Sequence, residues 1–254
     1  MNLLILGGTT EASALARALA GDRRFQATLS LAGLTRHPLP QPLPCRTGGF
    51  GGAEGLARYL AEHRTDALVD ATHPFAAQMT RHAAAAARAT GTRLLVVNRP
   101  PWQPAPGDRW TSVPDMPAAA VALGDAPRRV LLTVGQKDLA PFALGAPWHR
   151  YVVRSVEPPP PGSLPPRAEV ITARGPFAGD DERRLLAARR IEVLVTKNSG
   201  GEATQPKLAA ARALGLPVIV VARPEPPPGV ERVATAAEAL AWLERRHEAA
   251  LRGE

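Results

Sequence analysis

The sequence predicts an α/β protein of two similar halves, and three observations support this prediction. Residues 85–100 (AAARATGTRLLVVNRP) recur without a gap as residues 209–224 (AAARALGLPVIVVARP). Apolar runs precede both copies at the same spacing, ALVDAT at 67–72 and IEVLVT at 191–196. Glycines follow further short apolar runs, as at turns from strand to helix. A repeated strand, helix and strand can bury its strands only if helices cover the sheet, so each half is expected to be a parallel sheet flanked by helices.

The strands and helices of the first half are predicted from its apolar runs and from the prolines and glycines that interrupt them. Pro-rich sequence after Arg99 predicts a domain connection, because proline breaks both helices and central strands. A short helix at about residues 117–123 is expected to close the first half and a strand at about residues 130–134 to open the second, so the domains are placed at residues 1–127 and 128–254. In addition to the repeat, strands are expected at about residues 2–6 and 27–31, and helices at about residues 11–20, up to 63, and 117–123.

The second half has the same alternation of strands and helices. Gly135 follows its first apolar run, as glycines follow the first strand of the other half. The last Ala-rich segment is amphipathic and is expected to pack on the sheet. Strands are expected at about residues 130–134, 150–156 and 169–173, and helices at about residues 180–190 and 236–252.

The composition indicates a cytoplasmic globular protein. Cys45 is the single cysteine, so no internal disulfide can form, and there is neither an apolar run of membrane-spanning length nor a basic leader. The net charge is +8, but aromatic residues make up only 4% and the basic residues are dispersed. We therefore expect no nucleic-acid and no membrane partner, and an attraction for anionic small molecules.

The turn after the first strand is a candidate anion site. Gly7, Gly8, Thr9 and Thr10 precede or begin a helix that continues through Glu11. Backbone N–H groups at a helix N-terminus bind phosphate when glycines allow it to approach. The segment does not match G-x-G-x-x-G, so a tight turn without a ligand is the alternative.

The region after the second strand favours NADP(H) over NAD(H). An NAD site places an acidic residue there for the ribose hydroxyls, whereas a 2′-phosphate requires arginine and hydroxyl groups. No acidic residue lies between Arg23 and Ala53, while Ser30, Thr35 and Arg36 lie in this neighbourhood. The alternative is that Arg36 is a solvated surface arginine.

The loop Thr72, His73 and Pro74 follows a strand of the first half. In a Rossmann-like domain this loop passes the nicotinamide, so these residues are candidate cofactor contacts. His73 is also a candidate proton donor. The alternative for His73 is a structural histidine beside a proline.

The loops after the strands of the second half carry cations and glycines, which suit an anionic substrate. Lys197 is the candidate for a substrate carboxylate contact or for proton donation, and an exposed lysine beside a capped helix is the alternative. No pair of His or Cys has metal-ligand spacing, so metal catalysis is not expected. The candidate substrate residues are Lys137, Arg174, Gly175, Lys197, Asn198, Ser199 and Gly200.

Five motifs follow one another along the chain: ILGGTTEA (5–12), VDATHPFA (69–76), VGQKDL (134–139), ITARGPF (171–177) and VTKNSGG (195–201). Together and in this order they resemble the precorrin-6A reductases of cobalamin biosynthesis, and the resemblance covers nearly the whole chain. It implies two Rossmann-like domains with the active site in the interdomain cleft and the cofactor mainly on the first domain. It also implies NADPH-dependent reduction of a carbon–carbon double bond of precorrin-6A, an anionic tetrapyrrole, to precorrin-6B, with other enzymes of the pathway as candidate partners. The proton donor is left open among Lys197, His73 and water.

Two other classes of protein use the same open α/β sheets. One is a nucleotide-dependent methyl- or glycosyltransferase, and the other is a nucleotide sensor without catalytic activity. Selective binding of NADPH separates the reductase from both.

Overall fold

The computed structural model describes residues 1–33, 39–160 and 162–253. The chain divides into two compact units: unit 1 contains Met1–Pro100 and Pro224–Glu254, and unit 2 contains Pro101–Arg223. Each unit contains a six-stranded sheet in which every strand pair is parallel. The predicted α/β fold with two parallel sheets flanked by helices is therefore confirmed.

Strands and helices alternate along most of the chain. The first part of unit 1 contains β1 (Asn2–Leu6), α1 (Thr10–Leu19), β2 (Gln26–Leu31), β3 (Cys45–Thr47), α2 (Gly52–Glu62), β4 (Ala67–Asp70), α3 (Ala77–Thr90) and β5 (Arg93–Val97). Unit 2 contains β6 (Arg109–Val113), α4 (Met116–Ala122), β7 (Arg129–Thr133), α5 (Ala140–Gly145), β8 (Arg150–Ser155), β9 (Ala168–Thr172), α6 (Gly179–Ala188), β10 (Val193–Lys197), α7 (Pro206–Ala213) and β11 (Pro217–Val221). The chain then returns to unit 1 with β12 (Glu231–Val233) and α8 (Ala236–Arg252).

The two sheets have equivalent strand orders, β12-β5-β4-β1-β2-β3 in unit 1 and β6-β11-β10-β7-β8-β9 in unit 2. The order reverses between β1 and β4 in unit 1, and between β7 and β10 in unit 2. Ligands of open α/β sheets bind beyond the carboxyl ends of the strands at such a reversal. The loops after these four strands are therefore the candidate ligand-binding loops.

The domain boundary predicted at residue 127 differs from the division in the structure. β6 and α4 belong to unit 2, although they precede that boundary, and β12 and α8 belong to unit 1. The strand that follows β5 pairs with β11, and the strand that follows β11 pairs with β5. Each sheet thus receives its outer strand after the chain has crossed from the other unit. The chain crosses between the units in the Pro-rich stretch after Arg99, which is upstream of the predicted boundary, and the strand that follows this stretch was not predicted.

Successive side chains of β1 point to opposite faces of the sheet and contribute to an apolar core on each face of unit 1. Leu3 and Ile5 pack with residues of α1 and α8, including Trp242, whereas Leu4 and Leu6 pack with residues of α2 and α3. This two-residue period is expected of a strand that is covered by helices on both faces. The predicted last helix therefore covers a sheet, and that sheet is the one in unit 1.

The core of unit 2 is built in the same way. Leu131, Leu194 and Val218, from three neighbouring strands, pack with Leu186 of α6 and Leu208 of α7. Helix α4 contacts α5 as well as β6 and β11. Within the described ranges, no helix is both long and apolar enough to span a lipid bilayer.

Candidate functional site

The two glycines after β1 serve different physical purposes. Gly8 has a φ of +111°, a conformation that favours glycine, and a Cβ added there would meet no atom within 4 Å. A Cβ added to Gly7 would lie 2.7 Å from Cδ1 of Leu29, so Gly7 allows close packing on β2. Only Gly8 therefore faces open space, as a glycine does when a ligand approaches the backbone.

Thr9 connects the two loops at the strand reversal of unit 1. Its hydroxyl donates to the carbonyl oxygen of Ala71, after β4, at 2.7 Å and accepts from the N–H of Ala12 at 3.1 Å. Thr9 is thus the N-cap of α1, and the first N–H groups of this helix have no partner within the helix. These N–H groups and the helix dipole make the turn a suitable site for a phosphate.

Glu11 lies in the first turn of α1, and its carboxylate is bound by two groups. It forms an ion pair with Arg99, which follows β5, and accepts a hydrogen bond from Oγ1 of Thr10 at 3.1 Å. Arg99 offsets a negative charge that would otherwise repel a phosphate at the same turn. The sequence analysis used Arg99 only to mark a boundary, because nothing local in the sequence connects it to Glu11.

The loop after β4 is organised by a buried carboxylate. Oδ1 of Asp70 accepts from the N–H of Thr72 at 3.0 Å and from its hydroxyl at 2.6 Å. Oδ2 of Asp70 is buried without a hydrogen-bond partner among the described residues. Asp70, Thr72, His73, Pro74 and Asn98 line part of a cavity of about 20 Å³, which has room for one water molecule. The Thr72 hydroxyl is therefore used to shape the loop.

His73 is held in this loop through its backbone and its ring. Its carbonyl oxygen accepts from the N–H of Ala76 at 2.7 Å, and its Nδ1 accepts from the N–H of Phe75 at 3.3 Å. When the ring is neutral, the proton consequently resides on Nε2. To donate a proton in catalysis, the ring would first have to become an imidazolium, in which Nδ1 also carries a proton and no longer accepts from Phe75.

The end of β2 carries a serine and an arginine from neighbouring strands. Ser30 is buried, and its hydroxyl accepts from Nη1 of Arg46 on β3 at 2.8 Å. Thr35 and Arg36, the other predicted contacts of a 2′-phosphate, lie outside the described residues. The sequence analysis did not single out Arg46, because β3 is only three residues long and was not predicted.

The strand reversal of unit 2 brings a lysine and an aspartate together. Nζ of Lys197, at the end of β10, lies 2.5 Å from Oδ2 of Asp138, which follows β7. Lys137, which precedes Asp138 in the sequence, is exposed. Gly135 begins the turn after β7 with a φ of +92°. The structure thus brings the predicted loops of β7 and β10 together. Asp138, which the sequence analysis quoted only within a motif, completes the pair.

The side chain of Asn198 holds a backbone segment. Its Oδ1 accepts from the N–H of Trp102 at 2.7 Å, and its amide donates to the carbonyl oxygen of Trp102 at 3.1 Å. Ser199 is buried, and its N–H donates to the carbonyl oxygen of Lys197 at 2.8 Å. Gly200 adopts a φ of +71°. These residues shape the loop after β10.

The loop after β9 packs against the continuation of the loop after β10. The N–H of Phe177 donates to the carbonyl oxygen of Ala203 at 3.2 Å. A Cβ added to Gly175 would lie 3.3 Å from the same oxygen, so glycine allows this approach. Arg174 is exposed in this loop. Lys197 is the last residue of β10, and Lys137 and Arg174 follow β7 and β9, so all three lie at the carboxyl edge of the unit 2 sheet.

A buried cluster of charged side chains contacts the loops after β9 and β10. Arg154 pairs with Glu182 at 2.5 Å, with only 6% and 2% of their side chains exposed, and its guanidinium lies 4.0 Å from the ring centre of Phe177. Nζ of Lys207 donates to the carbonyl oxygen of Thr204 at 2.7 Å. Burial lowers the pKa of Lys207 to about 7; repulsion from Arg154 adds to this effect, and Glu182 opposes it.

Two doubly wound α/β units, each with glycine turns and polar loops at its strand reversal, define a Rossmann-like protein built to bind ligands. The chain belongs to the family described as precorrin-6x reductase CbiJ/CobK, whose sequence model matches residues 2–244.

Individual relatives match nearly the whole chain. A precorrin-6A reductase of Rhodococcus erythropolis is 50% identical over 242 residues, which are 95% of this chain and 96% of the relative. One from Sinorhizobium sp is 53% identical over 224 residues, covering 88% of this chain and 85% of the relative. The solved structure of CobK precorrin-6A reductase is 48% identical, covers 97% of this chain and 96% of its own, and superimposes with a TM-score of 0.90. The likeness extends over both units.

Proposed function

We propose that this protein is a precorrin-6A reductase that uses NADPH to reduce one carbon–carbon double bond of precorrin-6A, giving precorrin-6B. The observation that carries the proposal is the match to CobK precorrin-6A reductase over nearly the whole length of both chains. The predicted transferase and sensor alternatives receive no support from the named relatives, all of which are reductases.

Unit 1 is proposed to bind NADPH, which supplies a hydride when bound. The open backbone at Gly8 and the N–H groups of Thr10 and Glu11, which lie in the first turn of α1 and therefore have no partner within the helix, fit a pyrophosphate. The ion pair between Glu11 and Arg99 removes the charge that would oppose it. Thr72, His73 and Pro74 lie beyond β4, where a nicotinamide and its ribose are placed in this fold.

Unit 2 is proposed to bind the acidic macrocycle. Lys137 and Arg174 are exposed cations at the carboxyl edge of its sheet, and Lys197 lies in the same edge with its ammonium oriented by Asp138. Cations at several points along an edge suit a ligand with several carboxylates. Reduction also requires a proton, for which Lys197, Nε2 of His73 and water are the candidate sources.

The experiment that tests the proposal has two stages. Titration of the purified protein with NADPH, NADH and S-adenosylmethionine should show tight binding of NADPH alone. Adding precorrin-6A should then oxidise NADPH and give a product two hydrogen atoms heavier by mass spectrometry. Absence of NADPH binding would overturn the proposal, and selective binding of S-adenosylmethionine would favour the transferase.

A further inference from the structure

Arg46 is an arginine whose guanidinium is held by neutral groups. Nη1 donates to the hydroxyl of Ser30 at 2.8 Å and to the carbonyl oxygen of Gly48 at 2.9 Å, while Nη2 donates to the carbonyl oxygen of Gly49 at 3.1 Å. A guanidinium has five N–H groups, so these bonds leave two for a ligand. The side chain is thereby fixed without neutralising its charge.

Aromatic rings fix the plane of this guanidinium. Its central carbon lies 3.8 Å from the ring centre of Phe50 and 5.4 Å from that of Tyr59. The two rings pack edge to face with their centres 5.3 Å apart, so Tyr59 helps to hold the ring of Phe50 in place. A planar cation stacked on a ring loses little further freedom when it binds an anion.

Among the residues that the structure describes, no carboxylate pairs with Arg46. None of the ion pairs among the described residues includes it. The sequence contains no Asp or Glu from Arg24 to Ala53, the stretch that surrounds Arg46. An oriented cation without a carboxylate beside it is suited to bind an external anion.

The position of Arg46 in the sheet identifies the anion. Arg46 is the register partner of Ser30, near the carboxyl end of β2, and the carbonyl oxygen of Ser30 accepts from the N–H of Gly7 at 2.9 Å. Two strand spacings, about 10 Å, therefore separate Arg46 from the turn after β1. In a doubly wound sheet the pyrophosphate lies at that turn and the adenosine ribose lies at the end of β2, where an arginine accommodates a 2′-phosphate.

We propose that Arg46 binds the 2′-phosphate of NADPH and is the residue by which this protein prefers NADPH to NADH. This inference rests on the proposed function, because it assumes that unit 1 binds a nicotinamide dinucleotide. It assigns to Arg46 a role that the sequence analysis gave to Arg36, and it gives Ser30 the role of anchoring the arginine.

The test is a comparison of dinucleotide affinities by isothermal titration of the full chain. Arg46→Gln should weaken NADP⁺ binding by about 10- to 100-fold, since a hydrogen bond to a charged group contributes about 1.5–3 kcal/mol. Its affinity for NAD⁺ should change by less than about twofold. Arg58→Gln is the matched control, because Arg58 is an exposed arginine on α2 of the same unit, and it should leave both affinities unchanged.

Three results would overturn the inference. One is an unchanged preference for NADP⁺ in Arg46→Gln, and another is an equal loss of affinity for both dinucleotides. The third is a preference abolished by Arg36→Gln and retained in Arg46→Gln. If Arg46→Gln does not fold, Arg46→Lys, which keeps the charge but not the planar fork, should show a smaller loss confined to NADP⁺. A wild-type protein that binds no dinucleotide would instead overturn the proposed function.

Discussion

Nζ of Lys197 lies 2.5 Å from Oδ2 of Asp138, and this ion pair joins the loops after β10 and β7 at the strand reversal of unit 2. The lysine side chain is 17% exposed and the aspartate 33%, so both can meet a ligand. A partly exposed pair contributes little to stability. Its main consequence is that the ammonium has a defined position, which suits the proposed contact with an acidic substrate.

Replacing Lys197 should therefore lower the reactivity toward the tetrapyrrole and leave the affinity for the dinucleotide unchanged. We expect Lys197→Ala to lower kcat/KM for precorrin-6A by about 10- to 100-fold, corresponding to a lost charge-assisted contact, while the Kd for NADPH changes by less than about twofold. Asp138→Asn should give a smaller loss in the same direction, because it leaves the ammonium present but less well oriented. Steady-state kinetics and titration would measure both. Arg184→Ala, an exposed cation on α6, is the control, and unchanged kinetics in Lys197→Ala would remove the assignment.

Breaking the buried pair between Arg154 and Glu182 should destabilise unit 2. Glu182→Gln leaves the guanidinium of Arg154 buried without its counter-charge, which costs about 3–5 kcal/mol of the free energy of unfolding. Glu169→Gln is the control, since Glu169 pairs with Arg189 at an exposed position and should cost less than about 1 kcal/mol. Denaturant unfolding would compare them, and equal costs would contradict the prediction.

Lys207 should make stability depend on pH. Its pKa is lowered to about 7 in the folded state, from an ordinary value of 10.5. Between these values the unfolded chain binds a proton that the folded protein does not, so this residue makes the free energy of unfolding rise as pH increases from about 7 to about 10.5. The slope is at most about 1.4 kcal/mol per pH unit.

Lys207→Met should remove this contribution, because methionine can fill the space beside Trp102 without a charge. Unfolding curves of both proteins at several pH values between 7 and 10 would measure the difference in slope. Lys137→Met, at an exposed lysine, should keep the wild-type slope. Identical slopes in the wild type and Lys207→Met would show that Lys207 does not titrate in this range.

Gly55 is expected to tolerate no larger residue. A Cβ added there would lie 1.7 Å from the carbonyl oxygen of Phe50, so the backbone before α2 would have to move. Gly55→Ala should cost about 3 kcal/mol or more of the free energy of unfolding. Gly179→Ala, where an added Cβ meets no atom within 4 Å and φ is not positive, should be neutral in the same thermal or denaturant unfolding experiment. A stable Gly55→Ala protein would mean that α2 can shift at little cost.

The internal repeat was sufficient to predict the central strands and helices of both units. β4, β5, β10 and β11 lie where their apolar runs predict, because strands covered on both faces must be apolar throughout. The three strands that were not predicted, β3, β6 and β12, are short or polar. They are strands because of the neighbours with which they pair, and no local pattern indicates those neighbours.

The residues of the candidate site also fall into a group that the sequence predicts and a group that only tertiary contacts identify. Gly8, Thr9, His73 and Lys197 were predicted because each lies at or shortly after the end of a strand of the repeat or of the opening strand, and such positions meet at one edge of a parallel sheet. Arg46, Arg99 and Asp138 gain their roles from partners that the fold brings beside them: Ser30, Glu11 and Lys197.

By itself, the sequence determined that this protein consists of two parallel α/β sheets with glycine turns and cations at strand ends, because periodicity and spacing are local properties of the chain. Only the tertiary structure decided which sheet receives β6, β12 and α8, and which charges are paired. Strand pairing and ion pairing depend on contacts between residues far apart in the chain. Such contacts leave no periodic signal in a single sequence.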